Sequence, residues 1–210
     1  MRMRKPTALI LFLALSACSS ADDVVKACIK STACGVKAYP RVSDCVDGYR
    51  NLLVSSGQAP VYDAIYACVV AAADCAGVWA CHGRGASCDS SFQATCSGGK
   101  AQLCDLLDKR VYGLDCGGNG LGCEIKSTGG YSFDAACTGG GREGQAGAAD
   151  CGDGSCTRTG QGCVTGNDFD RCAGERLEAC LGNEWVSFDC GKLGLRACAP
   201  STISGACGGT

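Results

Sequence analysis

A Ser-His-Asp or Cys-His catalytic arrangement in this chain would have to use His82, the only histidine in 210 residues. A serine or cysteine nucleophile needs such a base within hydrogen-bond reach. His82 directly follows Cys81 at the expected end of a helix, where an imidazole beside terminal carbonyls needs no catalytic role. The 21 cysteines offer thiol chemistry only if they are reduced. Pairs spaced C-x2-C, the usual zinc-ligand arrangement, do not occur, so disulfides are the better reading. Asn167, Asp168 and Asp170 beside a glycine carry oxygens that calcium could use, but they miss the EF-hand spacing and read as a turn. The glycine-rich stretch 117–122 lacks the flanking strand and helix of a phosphate loop. The inventory predicts no enzyme, no metal and no cofactor.

What the residues do specify is covalent architecture. Cysteine at 21 of 210 positions, 32 glycines and 6% aromatics describe small units held by bridges rather than by one large core. Each bridge contributes about 2–4 kcal/mol, mainly by restricting the unfolded chain. Bridges at this density belong to an oxidising compartment.

The first residues have the pattern of an export signal. Arg2, Arg4 and Lys5 precede the apolar run Ala8 to Leu15, which is too short to span a bilayer as a stable helix. Leu15-Ser16-Ala17-Cys18 closes that run and resembles the lipobox of bacterial lipoprotein precursors. The resemblance implies a diacylglyceryl group on the Cys18 thiol, cleavage before Cys18, and two or three acyl chains that anchor the protein stably. Ser19 in place of aspartate implies onward transport to the outer membrane. An ordinary secretory signal, cut after Ser19-Ser20-Ala21, would instead release a soluble protein. Without the three basic signal residues the chain carries about five net negative charges and no basic patch, so nucleic acid is not an expected partner. The membrane, through lipid at Cys18, is one.

Residues 22–85 have helical periodicity. Ser20 and Asp23 have the form of a capping box, followed by Val24, Val25, Cys28 and Ile29, with Gly35 as a stop. Pro40 suits a first helical position before Val42, Cys45, Val46, Tyr49, Leu52 and Leu53. Pro60 opens a third segment whose seam runs from Val61 through Cys68 and Cys75 to Trp79. Within one helix, Cys28 and Cys34, or Cys75 and Cys81, would stand about 9 Å apart, beyond the roughly 7 Å that a disulfide tolerates. An antiparallel hairpin turning at Ser55-Ser56-Gly57 predicts Cys28–Cys81, Cys34–Cys75 and Cys45–Cys68. This arrangement somewhat resembles the twin-cysteine helical hairpins of small oxidised proteins. Trp79, Tyr62 and Tyr66 read as packing residues.

Residues 86–210 contain a duplication. Cys96, Cys104, Cys116 and Cys123 align with Cys172, Cys180, Cys190 and Cys198; Cys88 and Cys137 flank the first copy, Cys163 and Cys207 the second. Both copies have Asp-Cys at the third cysteine and a later glycine, Gly120 or Gly194. In the second copy Arg176 to Leu181, the turn Gly182-Asn183 and Glu184 to Asp189 read as a β-hairpin. The first has two extra residues around Asp108-Lys109 and a longer loop. A rival alignment matches Cys81-x6-Cys88 to Cys156-x6-Cys163, giving two eight-cysteine units.

The expected fold is therefore small and disulfide-rich: an N-terminal α-helical disulfide hairpin or bundle, then two β-hairpin cysteine-rich repeats. Its parts are signal peptide 1–17, lipidated N-terminus and tether 18–21, helical domain 22–85, repeat one 86–137, Gly/Ala linker 138–150 and repeat two 151–210. Gly182, Trp185, Val186 and Cys190 faintly resemble the "G-x-x-W-V" strand of small chitin- and glycan-binding modules, although the first copy has Val111-Tyr112 in place of Trp-Val. The resemblance implies a sugar-stacking Trp185, with Tyr112 as its counterpart. The functional expectation is a lipid-anchored envelope protein with a non-catalytic structural or protein-binding role. Glycan binding through Trp185 is the alternative, and inhibition of a hydrolase a third.

Overall fold

Periodic apolar residues and paired cysteines generate four helices and twelve strands among the described residues in a computed structural model of the chain. The description covers residues 21–36, 41–53, 57–127, 133–140, 151, 154–165, 167–200 and 204–209. The lipobox with Cys18, the cap residue Ser20, Pro40, Ser55-Ser56 and most of the Gly/Ala linker lie outside these residues.

Helix α1 (Ala21–Ala33) buries Val24, Val25, Cys28 and Ile29, as the periodicity requires. It ends where Gly35 takes the left-handed conformation (φ 74°), which lets Val36 N–H donate back to the Ser31 carbonyl. Helix α2 (Val42–Gly48) continues into a π-helical turn at Tyr49–Leu53. Val42, Cys45, Val46 and Tyr49 are buried.

The third periodic segment is two helices, not one. Helix α3 (Ala59–Ala71) stops because Ala72 is extended and α4 (Cys75–Cys81) starts afresh, with the Asp74 carboxylate accepting from Gly77 N–H at 2.8 Å. Lys30 of α1 donates to the Val70 and Ala72 carbonyls at 2.7 and 2.9 Å, satisfying acceptors that the break leaves open.

The break decides the bridges. Cys34–Cys75 forms as expected, but Cys28 joins Cys45 and Cys68 joins Cys81. These two replace the expected Cys28–Cys81 and Cys45–Cys68. In a continuous helix Cys68 and Cys81 would lie about 20 Å apart; the kink brings their Cα atoms to 5.7 Å. Cys28 of α1 and Cys45 of α2 reach the same separation.

The duplicated region folds twice into one design. Strands β1 (Arg84–Ser87), β2 (Thr95–Ser97), β3 (Lys100–Asp105) and β4 (Arg110–Asp115) form an antiparallel sheet in the order β1-β4-β3-β2. After it, β5 (Gly122–Ser127) and β6 (Phe133–Thr138) make a two-stranded ribbon. In the second module β7 (Cys156–Gly162), β8 (Arg171–Ala173), β9 (Arg176–Leu181) and β10 (Glu184–Asp189) repeat the sheet order, and β11 (Arg196–Pro200) with β12 (Gly205–Gly208) repeats the ribbon. The predicted hairpin is β9–β10, with Gly182 and Asn183 both left-handed, as its two-residue turn demands. Strand β1 spans residue 85, where the helical domain was expected to end.

Three bridges correspond between modules: Cys88–Cys104 with Cys163–Cys180, Cys96–Cys123 with Cys172–Cys198, and Cys116–Cys137 with Cys190–Cys207. Cys151–Cys156 is added in the second. Cys123 faces Cys137 across its ribbon, and Cys198 faces Cys207, yet each bonds outward and sutures ribbon to sheet. The shared Asp-Cys also has a local cause. Asp115 Oδ1 accepts from Gly118 N–H and Asp189 Oδ1 from Lys192 N–H, fixing short 3-10 turns that close at left-handed Gly120 and Gly194.

The helices lie between the two modules. Helices α1 and α2 pack on β12 and β9, where Leu177, Ala179, Val186 and Phe188 join Ile29, Val42 and Val46 in one core. Helices α3 and α4 meet module one, where Val61 joins Ala101, Leu114 and Leu121 in a second core. No helix among the described residues is long and apolar enough to cross a membrane.

Candidate functional site: a cavity between the helices and the first β module

The strand alternation that faces both sheets toward the helices gives the two interfaces matching positions. Aligning Cys104 with Cys180 pairs Ala101, Leu103, Asp105, Tyr112 and Leu114 with Leu177, Ala179, Leu181, Val186 and Phe188. All five residues of the second set are buried. In the first module the same face leaves a cavity of about 220 Å³.

Its floor on the sheet side is Leu103, Asp105, Tyr112 and Leu114. From the helices come Ser31, Thr32 and Val36, Cys45 in its bridge, Tyr62, Ile65 and Tyr66 of α3, and His82 after α4. Tyr62 and Tyr66 lie edge to face with centroids 6.1 Å apart, and Tyr66 packs on Tyr49 at 5.6 Å. Tyr49 Oη donates to Asp63 at 2.5 Å, and burial together with that carboxylate raises its pKa.

Polarity in the cavity centres on His82. Its Nε2 shares a 2.9 Å hydrogen bond with Ser31 Oγ. Burial lowers the imidazole pKa to about 4, so the ring is neutral at pH 7 and a weak general base. Asp105 Oδ1 accepts from the Leu107 and Asp108 amides in the β3–β4 turn. No lysine or arginine lines the space. The arrangement can take up a molecule and offer it the neutral Ser31–His82 pair beside the hydroxyls of Thr32, Tyr62 and Tyr66.

Asp108, one of the two residues that lengthen the first module's hairpin, closes one side of this interface. Asp108 accepts from Arg84 Nε at 2.9 Å and from Tyr112 Oη at 2.8 Å. Arg84 in turn lies 4.0 Å over the Trp79 ring, tying α4 to the hairpin. Tyr112 is therefore a wall of the cavity, its phenol pKa raised chiefly by burial and also by Asp108.

Trp185 is placed differently. It is 6% exposed, and the Arg171 guanidinium covers it at 4.1 Å, leaving no open face for a sugar. It belongs to the second module and Tyr112 to the first, so the two form no joint platform. Asp168 Oδ2 accepts from Val164 N–H at 2.7 Å, closing a turn. Asp170 is 2% exposed and reaches into the helical domain, its Oδ2 accepting from Val42 N–H at 2.6 Å as a cap for α2. Asp168 and Asp170 thus serve separate tasks, and no cluster of three metal-ligating side chains occurs among the described residues. In the stretch 117–122, Gly118 N–H goes to Asp115 and Leu121 N–H to the Cys116 carbonyl.

The sequence marked His82 as a helix-end residue, Tyr112 as a sugar-stacking counterpart and Tyr62 and Tyr66 as packing residues, and did not show that all four converge. The available signal was Asp105 where the second copy has Leu181, a polar residue at an inward position of an aligned repeat. No protein-family model, curated protein or solved structure matches the chain.

Proposed function

We propose that this is an exported, lipid-anchored envelope protein with a non-catalytic structural or protein-binding role. One observation carries the anchoring: ten disulfides use twenty cysteines, and of the 21 in the chain the remaining one is Cys18 of the lipobox-like Leu15-Ser16-Ala17-Cys18. A thiol outside a complete set of bridges is free for the thioether that lipidation requires. Disulfides at this density also fit an exported protein.

The binding role is supported by construction. Two matched, sutured modules held on a helical hub present rigid surfaces at low cost in ordering entropy. The covered Trp185 gives the glycan alternative no support. A Ser-His or Cys-His catalytic reading would need a base stronger than His82.

The test is the intact mass of protein purified from bacterial membranes, with Cys18→Ser alongside. A mass exceeding the chain from Cys18 onward by two or three acyl groups, absent in the variant, is the expected result. A mature chain starting after Ala21 without acyl mass would refute the anchor.

A further inference from the structure

We infer that the cavity between α1, α3 and the β3–β4 sheet is a binding site for one small, uncharged, largely apolar molecule that carries a single hydrogen-bonding group, of the phenol or simple alcohol class. The inference goes beyond the anchoring and holds whether or not Cys18 is lipidated.

Size comes first. A dry apolar cavity of about 150 Å³ accommodates benzene, and this one, at about 220 Å³, has room for a ring with a substituent. The contrast with the second module shows that the space is not a necessity of the fold. There the equivalent inward residues Leu181, Val186 and Phe188 pack solidly against the same helical hub.

Chemistry narrows the class. Val36, Ile65, Leu103 and Leu114 supply aliphatic walls, and the tyrosines add aromatic surface for stacking or edge contacts. No cation is present to offset a buried anion. The only lining carboxylate, Asp105, is engaged by two amides of its own turn. Of the lining hydroxyls, Tyr112 donates to Asp108 and Tyr66 lies 3.9 Å from the bridged Cys45 Sγ, whereas Ser31 and His82 form a pair in which both members can donate or accept. That pair can re-form around a ligand hydroxyl, since a hydroxyl and a neutral imidazole each can donate or accept. A hydrocarbon would leave the pair as it is; an alcohol or phenol gains from it.

The single histidine makes the test direct, because the His82 ring protons give unique signals in proton NMR. The oxidised mature protein, held in lipid nanodiscs at pH 7, is titrated with phenol, toluene, benzoate and tetramethylammonium. Phenol should shift the His82 resonances saturably and bind at least fivefold more tightly than toluene, while benzoate and tetramethylammonium leave them in place. Ser31→Ala should weaken phenol about fivefold and leave toluene unchanged. Leu103→Trp, which fills the space, should abolish both. If that variant does not fold, the wild-type and Ser31→Ala titrations decide alone. No saturable phenol shift, equal binding of phenol and toluene, or preference for either ion would overturn the assignment. Acyl mass at Cys18 is read separately, so failure here is distinguishable from failure of the anchor.

Discussion

The two β modules share strand order, three bridges and the same Asp-capped 3-10 turn, yet they meet the helices in opposite ways. The second seals its interface with Leu177, Leu181, Val186 and Phe188 and sends Asp170 across to cap α2. The first places Asp105 and Tyr112 at matching positions and keeps a cavity beside a neutral His82. Duplication with one filled and one open face teaches that the bridges carry the module's fold, which frees the inward side chains to diverge.

Truncation should separate the two faces most strongly. Phe188→Ala removes a 1%-exposed ring from a filled core and is expected to cost about 3–5 kcal/mol; Leu114→Ala, at the wall of an existing void, should fall near the low end of the leucine range, about 2 kcal/mol. Urea unfolding with the bridges intact measures both. Equal costs would mean that the first interface is as tightly filled as the second.

Acid should act oppositely on the two sides. The folded pKa of His82, about 4, lies below its ordinary 6.5. Its contribution to stability is therefore complete above pH 6.5 and is lost as pH falls through 4, amounting to about 3 kcal/mol. Asp170 is raised by burial from 3.8 to about 6. Its contribution is complete below pH 3.8 and is lost as pH rises through 6, again about 3 kcal/mol. Because the two nearly cancel between pH 6.5 and 4 in the parent, its melting temperature should change little there, whereas in His82→Gln it should rise as pH falls. In Asp170→Asn the opposing trend between pH 4 and 6 should vanish, leaving a steeper acid-side fall. A His82→Gln curve matching the parent would refute the buried neutral imidazole.

Smaller effects concern the two arginines over tryptophans. Arg84→Ala breaks the tie between Trp79 and Asp108 across the first interface and should cost about 1 kcal/mol in the same urea measurement. Arg171→Ala acts within the second module and should change stability by less than about 0.5 kcal/mol. It should nevertheless red-shift Trp185 fluorescence by uncovering the ring. An unshifted spectrum would mean that another group shields it.

Much of the fold was legible because its signals are local. Gly182-Asn183 between two alternating runs specifies a hairpin, and a repeated cysteine order with a shared seven-residue gap and Asp-Cys pair specifies matching modules, since both depend on short-range signals. The Cys68 and Cys81 pairing was not legible. The seam from Val61 to Trp79 is compatible with one helix or two, and the choice rests on Asp74 capping a new start and on Lys30, distant in sequence, taking the carbonyls at the end of α3. The candidate site was hidden for a similar reason. Ser31, Tyr66, His82 and Tyr112 lie up to 81 positions apart in sequence, and only the packing of helices on a sheet brings them together.

By itself, then, the sequence determined the covalent style of this protein: dense disulfides, helices first, and a duplicated cysteine module after them. Composition and short-range spacing are sufficient for that, because turns, periodicity and repeats are properties of neighbouring residues. Tertiary structure alone decided which helical cysteines meet, that Trp185 is covered, that Asp170 caps a helix 128 residues away, and that one module closes on the hub while the other encloses a space. Those outcomes depend on the summed shapes of side chains from separate segments, and no local pattern encodes that sum.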